Sequence, residues 1–131
     1  MPIKYHDAPD LRERAEEIVN IMGWPHLDFE HIGFLRSTGS AARRTIARCH
    51  ALGKAMRIAM GRKKGFYLVE VISERFDKLP MEEQDKVIIH ELMHIPKAFG
   101  GGFIHHNVVN DRNVKKIYHE YLKKKLERRW L

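Results

Sequence analysis

The chain has 131 residues, 44% hydrophobic and 31% charged, with 24 Lys and Arg against 17 Asp and Glu and a formal charge of +7. That length suits a single domain with its own core, and the composition is that of an ordinary globular protein, not a disordered or fibrous one. No apolar run approaches the ~20 residues that span a bilayer, Met1 to Asp7 holds no apolar signal segment, and the lone Cys49 has no partner for an internal disulfide, so no membrane association and a cytoplasmic address are expected.

Asp10 to Met22 reads as an amphipathic helix, because Leu11, Ala15, Ile18 and Met22 recur at three- and four-residue steps between charged residues. Gly23 and Pro25 supply the stop. His31 to Arg36 has the look of a short strand, closed by the turn-forming run Ser37-Thr38-Gly39-Ser40. Arg43 to Ala51 alternates as a strand would, and Lys54 to Met60 reads as a short helix or loop. Gly61 to Gly65 is a turn. Phe66 to Ile72 is the clearest strand: β-branched and aromatic, apolar on both faces except at Glu70, and so expected well inside a sheet.

Pro80 with Glu82 and Glu83 marks a helix start, where negative charge suits the dipole. That helix runs through Val87, Ile88, Ile89, Leu92 and Met93 to His94, and Pro96 ends it by disfavouring helical geometry at Ile95. Gly100-Gly101-Gly102 forms a flexible loop. A last helix is expected from Asp111 to Arg129, with the stripe Val114, Ile117, Tyr118, Tyr121, Leu122 and Leu126.

The chemistry concentrates in His90-Glu91-Leu92-Met93-His94. On a helix, residues four apart share a face, so two imidazoles one turn apart can converge on one ion at about 2.0–2.1 Å, the usual zinc–nitrogen distance. Glu91 projects beside that face, where a carboxylate serves as general base toward a water on the metal. A catalytic zinc needs a third protein ligand and an open position. His105, His106, His119 and Glu120 are the candidates, and the glycine loop would let the chain carry His105 and His106 back toward the helix end. Being adjacent, those two histidines point to opposite sides of an extended backbone, so only one reaches the ion.

The run His90 to Pro96, the segment Phe66 to Pro80 with its Val-Ile-Ser-Glu-Arg-Phe core, and Ile32-Gly33-Phe34-Leu35-Arg36-Ser37 together resemble a metallopeptidase family of archaea and phages. That family is itself similar to SprT-like and other small zincins. The resemblance covers roughly Ile32 to Asn107. It implies an α+β, zincin-like fold in which a short mixed or antiparallel sheet packs on the active-site helix, flanked by N- and C-terminal helices. It implies zinc on three histidines, which tilts the third ligand to His106 over His105, with Glu91 as the catalytic base and a polypeptide as substrate.

The middle of the chain is basic, through Arg43, Arg44, Arg48, Lys54, Arg57, Arg62, Lys63 and Lys64, which raises DNA as a second partner although no nucleic-acid-binding motif accompanies the run. Cys49, Tyr118 and Tyr121 read as core residues before they read as chemistry. The competing class is a zinc-stabilised nucleic-acid- or protein-binding module without hydrolysis, and a third reading is a toxin or antirestriction-like accessory protein on the same scaffold. A binding module would close the metal with a fourth protein ligand and have no use for Glu91, whereas a peptidase needs both the open position and the carboxylate.

Overall fold

A computed structural model of the chain describes residues 2–100 and 102–129, so of the glycine loop Gly101 lies outside the described residues. The elements are β1 (Lys4–Asp7), α1 (Pro9–Met22), β2 (Ile32–Thr38), β3 (Ala47–Ala51), α2 (Lys54–Ala59), β4 (Tyr67–Ile72), α3 (Ser73–Phe76), α4 (Met81–Met93) and α5 (Asp111–Arg129). The strands form one mixed sheet in the order β1-β2-β4-β3. β1 is antiparallel to β2, β2 is parallel to β4, and β3 is antiparallel to β4. The fold is therefore α+β, with a small sheet on a helical layer.

β4 takes an inner place because its sequence leaves it no solvated face. Tyr67, Val69 and Val71 are buried toward the helices, and Glu70 and Ile72 are buried on the other side. Ile32 and Phe34 of β2 continue the helix-facing layer. α1 begins with Pro9 at its first position and ends where Gly23 adopts φ 69°, donating its N–H to the Val19 carbonyl at 2.9 Å. A left-handed residue of this kind closes a helix at little cost only when it lacks a Cβ.

α4 is held in rotation by Ile88, Ile89, Leu92 and Ile95, each at most 1% exposed. Burying an aliphatic side chain fully stabilises by roughly 1.5–3 kcal/mol, so turning this helix would forfeit several such terms at once. α1 packs beside it through Arg14, which donates to Gln84 at 2.7 Å and pairs with Asp85 at 2.6 Å. α5 covers both through Val114, Tyr118 and Tyr121, with Lys125 pairing Glu17 of α1 at 3.2 Å. No helix among the described residues is long and apolar enough to cross a membrane.

Two strand boundaries differ from the sequence reading, and the strand β1 and the short helix α3 were not expected. The strand expected from Arg43 starts only at Ala47, because Ala41 to Ile46 runs as an irregular segment whose Ile46 carbonyl accepts from Ile72. β2 runs on through Ser37 and Thr38, which had the composition of a turn; Ser37 is fully buried and bonds Glu70, so tertiary contacts override local preference. β1 had no sequence signal, since its four residues are all exposed and carry no hydrophobic alternation.

Candidate metal centre

His90 and His94 lie on one face of α4 and at its C-cap, as their spacing demands, and Glu91 is the residue turned inward, 6% exposed. The third histidine arrives by a return of the chain. Ile104 N–H donates to the His94 carbonyl at 2.9 Å, and His94 Nδ1–H donates back to the Ile104 carbonyl at 2.6 Å. This reciprocal pair lays residues 103–106 against the end of the helix. Tyr67 Oη–H, donating to the Gly102 carbonyl at 2.7 Å, pins the loop on its other side. Phe99 supplies the bend, with φ 52° in a non-glycine residue that is held by burial against Tyr67, ring centroids 5.1 Å apart.

His106 is thereby brought over His90 and His94. Ring centroids are 5.1 Å apart for His90–His94, 5.7 Å for His90–His106 and 4.9 Å for His94–His106. One nitrogen from each ring can be chosen so that all three lie within 4.8 Å of one another. The neighbouring His105 is exposed and faces the cleft outside this group; its carbonyl accepts from Val108 and Val109, beginning the turn into α5. His119 and Glu120 are exposed on α5 and also stand outside the cluster.

The electrostatics suit a cation. Burial holds His90 below the ordinary histidine range, and the neighbouring rings of His94 and His106 push it further down. Burial also lowers His94, against the opposing hydrogen bond to Ile104. Imidazoles kept neutral present lone pairs, the form that binds metal. With Nδ1 of His94 committed to a backbone carbonyl, Nε2 is left as its free donor atom, an arrangement typical of metal-binding histidines. Burial pushes Glu91 up to about 7. The donor set of three convergent imidazole nitrogens beside an inward carboxyl thus fits a zinc ion by ligand type.

Other groups outside the three histidines were less visible in sequence. Glu70, the one charged residue of β4, is 1% exposed. Burial pushes its carboxyl up, but hydrogen bonds from Ser37 at 2.5 Å and His50 at 2.7 Å, with Arg48 nearby, outweigh that and hold it below the usual range. The only forewarning was its isolation in an apolar strand. Asp28, Glu30 and His31 form a second group of possible donors, yet Lys64 sits 2.9 Å from Asp28 and Arg62 2.7 Å from His31 Nδ1, so two cations already occupy its surroundings. Cys49 is half-buried and its thiol is pushed up to about 12 by burial and then by the charge of Glu91, which keeps it protonated and inert. Tyr118 and Tyr121 are core residues.

The sequence pattern of the family described as "Putative phage metallopeptidase" matches residues 3–128. No curated protein and no solved structure matches the chain.

Proposed function

The chain belongs to this phage metallopeptidase family, and from that premise we propose that it is a zinc-dependent peptidase working through His90, His94, His106 and Glu91. The observation that carries the reading is the convergence of three imidazoles beside a buried carboxyl that makes no hydrogen bond among the described residues. His90, His94 and His106 would hold the ion, and His105 is left free to meet substrate. Zinc bound there supplies a Lewis acid for the scissile carbonyl and lowers the pKa of a water to about 7.

The remaining steps belong to the protein. Glu91 accepts a proton from the attacking water on a carboxylate oxygen and, as the carboxylic acid, delivers it to the leaving amine nitrogen. Its apolar surroundings raise its basicity toward the value such a transfer needs at neutral pH. The Ile104 carbonyl fixes the tautomer and direction of His94. β3, at the edge of the sheet and bordering the same cleft, offers unpaired backbone groups beside which an extended polypeptide can lie as an added strand. The half-buried, unpaired Cys49 agrees with work in a reducing cytoplasm.

Elemental analysis of the purified protein should find about one zinc per chain, and His94→Ala should lose most of it. Glu91→Gln should keep the metal and lose hydrolysis of an unstructured substrate such as casein. A wild type that neither carries nor gains zinc, or a Glu91→Gln variant as active as wild type, overturns the reading. Full zinc retention with no hydrolysis by wild type would instead favour a zinc-stabilised binding module.

A further inference from the structure

Two hollows of about 490 and 450 Å³ flank the metal centre, sharing Ala47, His90 and Glu91, and so form one cleft along β3. The first has an apolar floor of Ile46, Val87 and Val114, with the exposed cations Arg44 and Lys115 at its rim. The second is bordered by Arg48 and His50. Both of these side chains reach Glu70, at 3.9 and 2.7 Å, so they share one face of the edge strand.

Of the acids in and behind the cleft, two are committed. Glu83 is paired with Lys86 at 3.3 Å, and Glu70 is 1% exposed with its oxygens turned to Ser37 and His50. Besides the inward Glu91, Asp111 is the acid of the lining left open, against Arg44, Lys115 and the outer side of Arg48, whose side chain is 36% exposed. Neither Arg44 nor Lys115 has an ion-pair partner among the described residues. Cations lining a cleft of low-dielectric walls focus their field on whatever enters it.

We propose that the cleft selects acidic polypeptide segments: carboxylate side chains of a strand laid against β3 engage Arg44 and Lys115 on the helix side and Arg48 on the opposite face of the sheet. The proposal deepens the peptidase reading and rests on it, since it names the class of substrate for that same site. A polypeptide is the occupant, not a nucleic acid, because the cations border an open strand edge whose backbone groups a peptide strand can pair with, and because opposite charges facing each other across paired strands stabilise the pairing.

The test uses three fluorescein-labelled ten-residue peptides in which pairs of Thr alternate with pairs of Glu, Gln or Lys, so that both faces of the strand carry the charge, titrated by anisotropy against the full chain in EDTA at 50 mM NaCl. The Glu peptide should bind at least ten-fold more tightly than the Gln peptide and the Lys peptide least of all, with most of the margin gone at 500 mM NaCl. Arg44→Glu with Lys115→Glu should abolish or invert the order, and Arg48→Gln should narrow it. Should the charge-reversed double variant fail to fold, Arg44→Gln and Lys115→Gln taken singly read the same margin. Equal affinity for the Glu and Gln peptides, or a margin unchanged in all of these variants, overturns the proposal. So does a 20-base-pair duplex that displaces the Glu peptide at lower concentration than the unlabelled peptide itself, which would assign the cations to nucleic acid. Because binding is read without metal, it is scored apart from catalysis. With zinc restored, cutting of the Gln peptide as fast as the Glu peptide overturns the charge selection and leaves the peptidase reading standing.

Discussion

Replacing Glu91 by Gln should stabilise the metal-free protein at neutral pH while leaving it little changed in acid. In the folded chain the carboxyl is 6% exposed and burial moves it from 4.5 up to about 7. Below pH 4.5 the group is neutral in both folded and unfolded states and adds no pH-dependent term. Between 4.5 and 7 the unfolded chain releases a proton that the folded chain retains, so stability falls as pH rises through that window. Above 7 the loss is complete. Each unit is about 1.36 kcal/mol, which puts the full effect near 3 kcal/mol. For a domain of this size that corresponds to roughly 10 °C in Tm. Gln keeps the shape without the charge, and any fixed cost of burying the amide is the same at every pH. Urea unfolding of wild type and Glu91→Gln in EDTA, from pH 4 to pH 8, should therefore give a stability difference that grows by about 3 kcal/mol in favour of the variant and levels off above pH 7. A difference that is flat across pH, or that grows in favour of wild type, would show that Glu91 does not sit desolvated and unpaired, and the case for it as a poised base would fail with it.

The ligand set can be separated residue by residue by competing a zinc chelator against His105→Ala, His106→Ala and Glu120→Ala. His106→Ala should lose at least ten-fold in affinity and the other two little, by analogy with changes around metal sites; a large loss in Glu120→Ala alone would make the site two histidines and a glutamate. The basic middle of the chain should give only weak duplex DNA binding, because Arg62 and Lys64 are already engaged by His31 and Asp28. Binding should be of the non-specific order of 10⁻⁴–10⁻⁶ M and fall steeply between 50 and 200 mM NaCl as the entropic gain from counterion release shrinks; tight, saturable binding at 200 mM would refute this.

The parts of the fold that the sequence announced are those in which local and tertiary preferences agree. α1, α4 and α5 are amphipathic over several turns with recognisable ends, and β4 is a run of residues that only an inner strand can bury. The elements that escaped are those whose cause lies far away in the chain. β1 is four exposed residues that pair with β2 across some thirty intervening positions, from Lys4↔Thr38 to Asp7↔Leu35. Ser37 and Thr38 belong to a strand because Glu70 and β1 wait for them, not because serine and threonine followed by glycine favour one.

The same division runs through the metal centre. His90, Glu91 and His94 were placed by helical geometry alone, since their relative positions depend on nothing beyond the turn they occupy. Spacing alone left the choice between His105 and His106 open, with only the family resemblance tilting it to His106, because alternation puts adjacent residues on opposite sides without saying which side faces the helix. What settles the register is one backbone contact, the two-way bond between Ile104 and His94. With Ile104 turned to the helix end through its backbone, His106 comes over the other two rings and His105 is left outward. That bond in turn requires the chain to double back within ten residues, which the bend at Phe99 and the anchoring of Gly102 by Tyr67 provide. The residue that joins the two helix histidines is thus placed with the help of Tyr67, an inner-strand side chain whose hydroxyl meets the Gly102 carbonyl and would be awkward to bury without a partner.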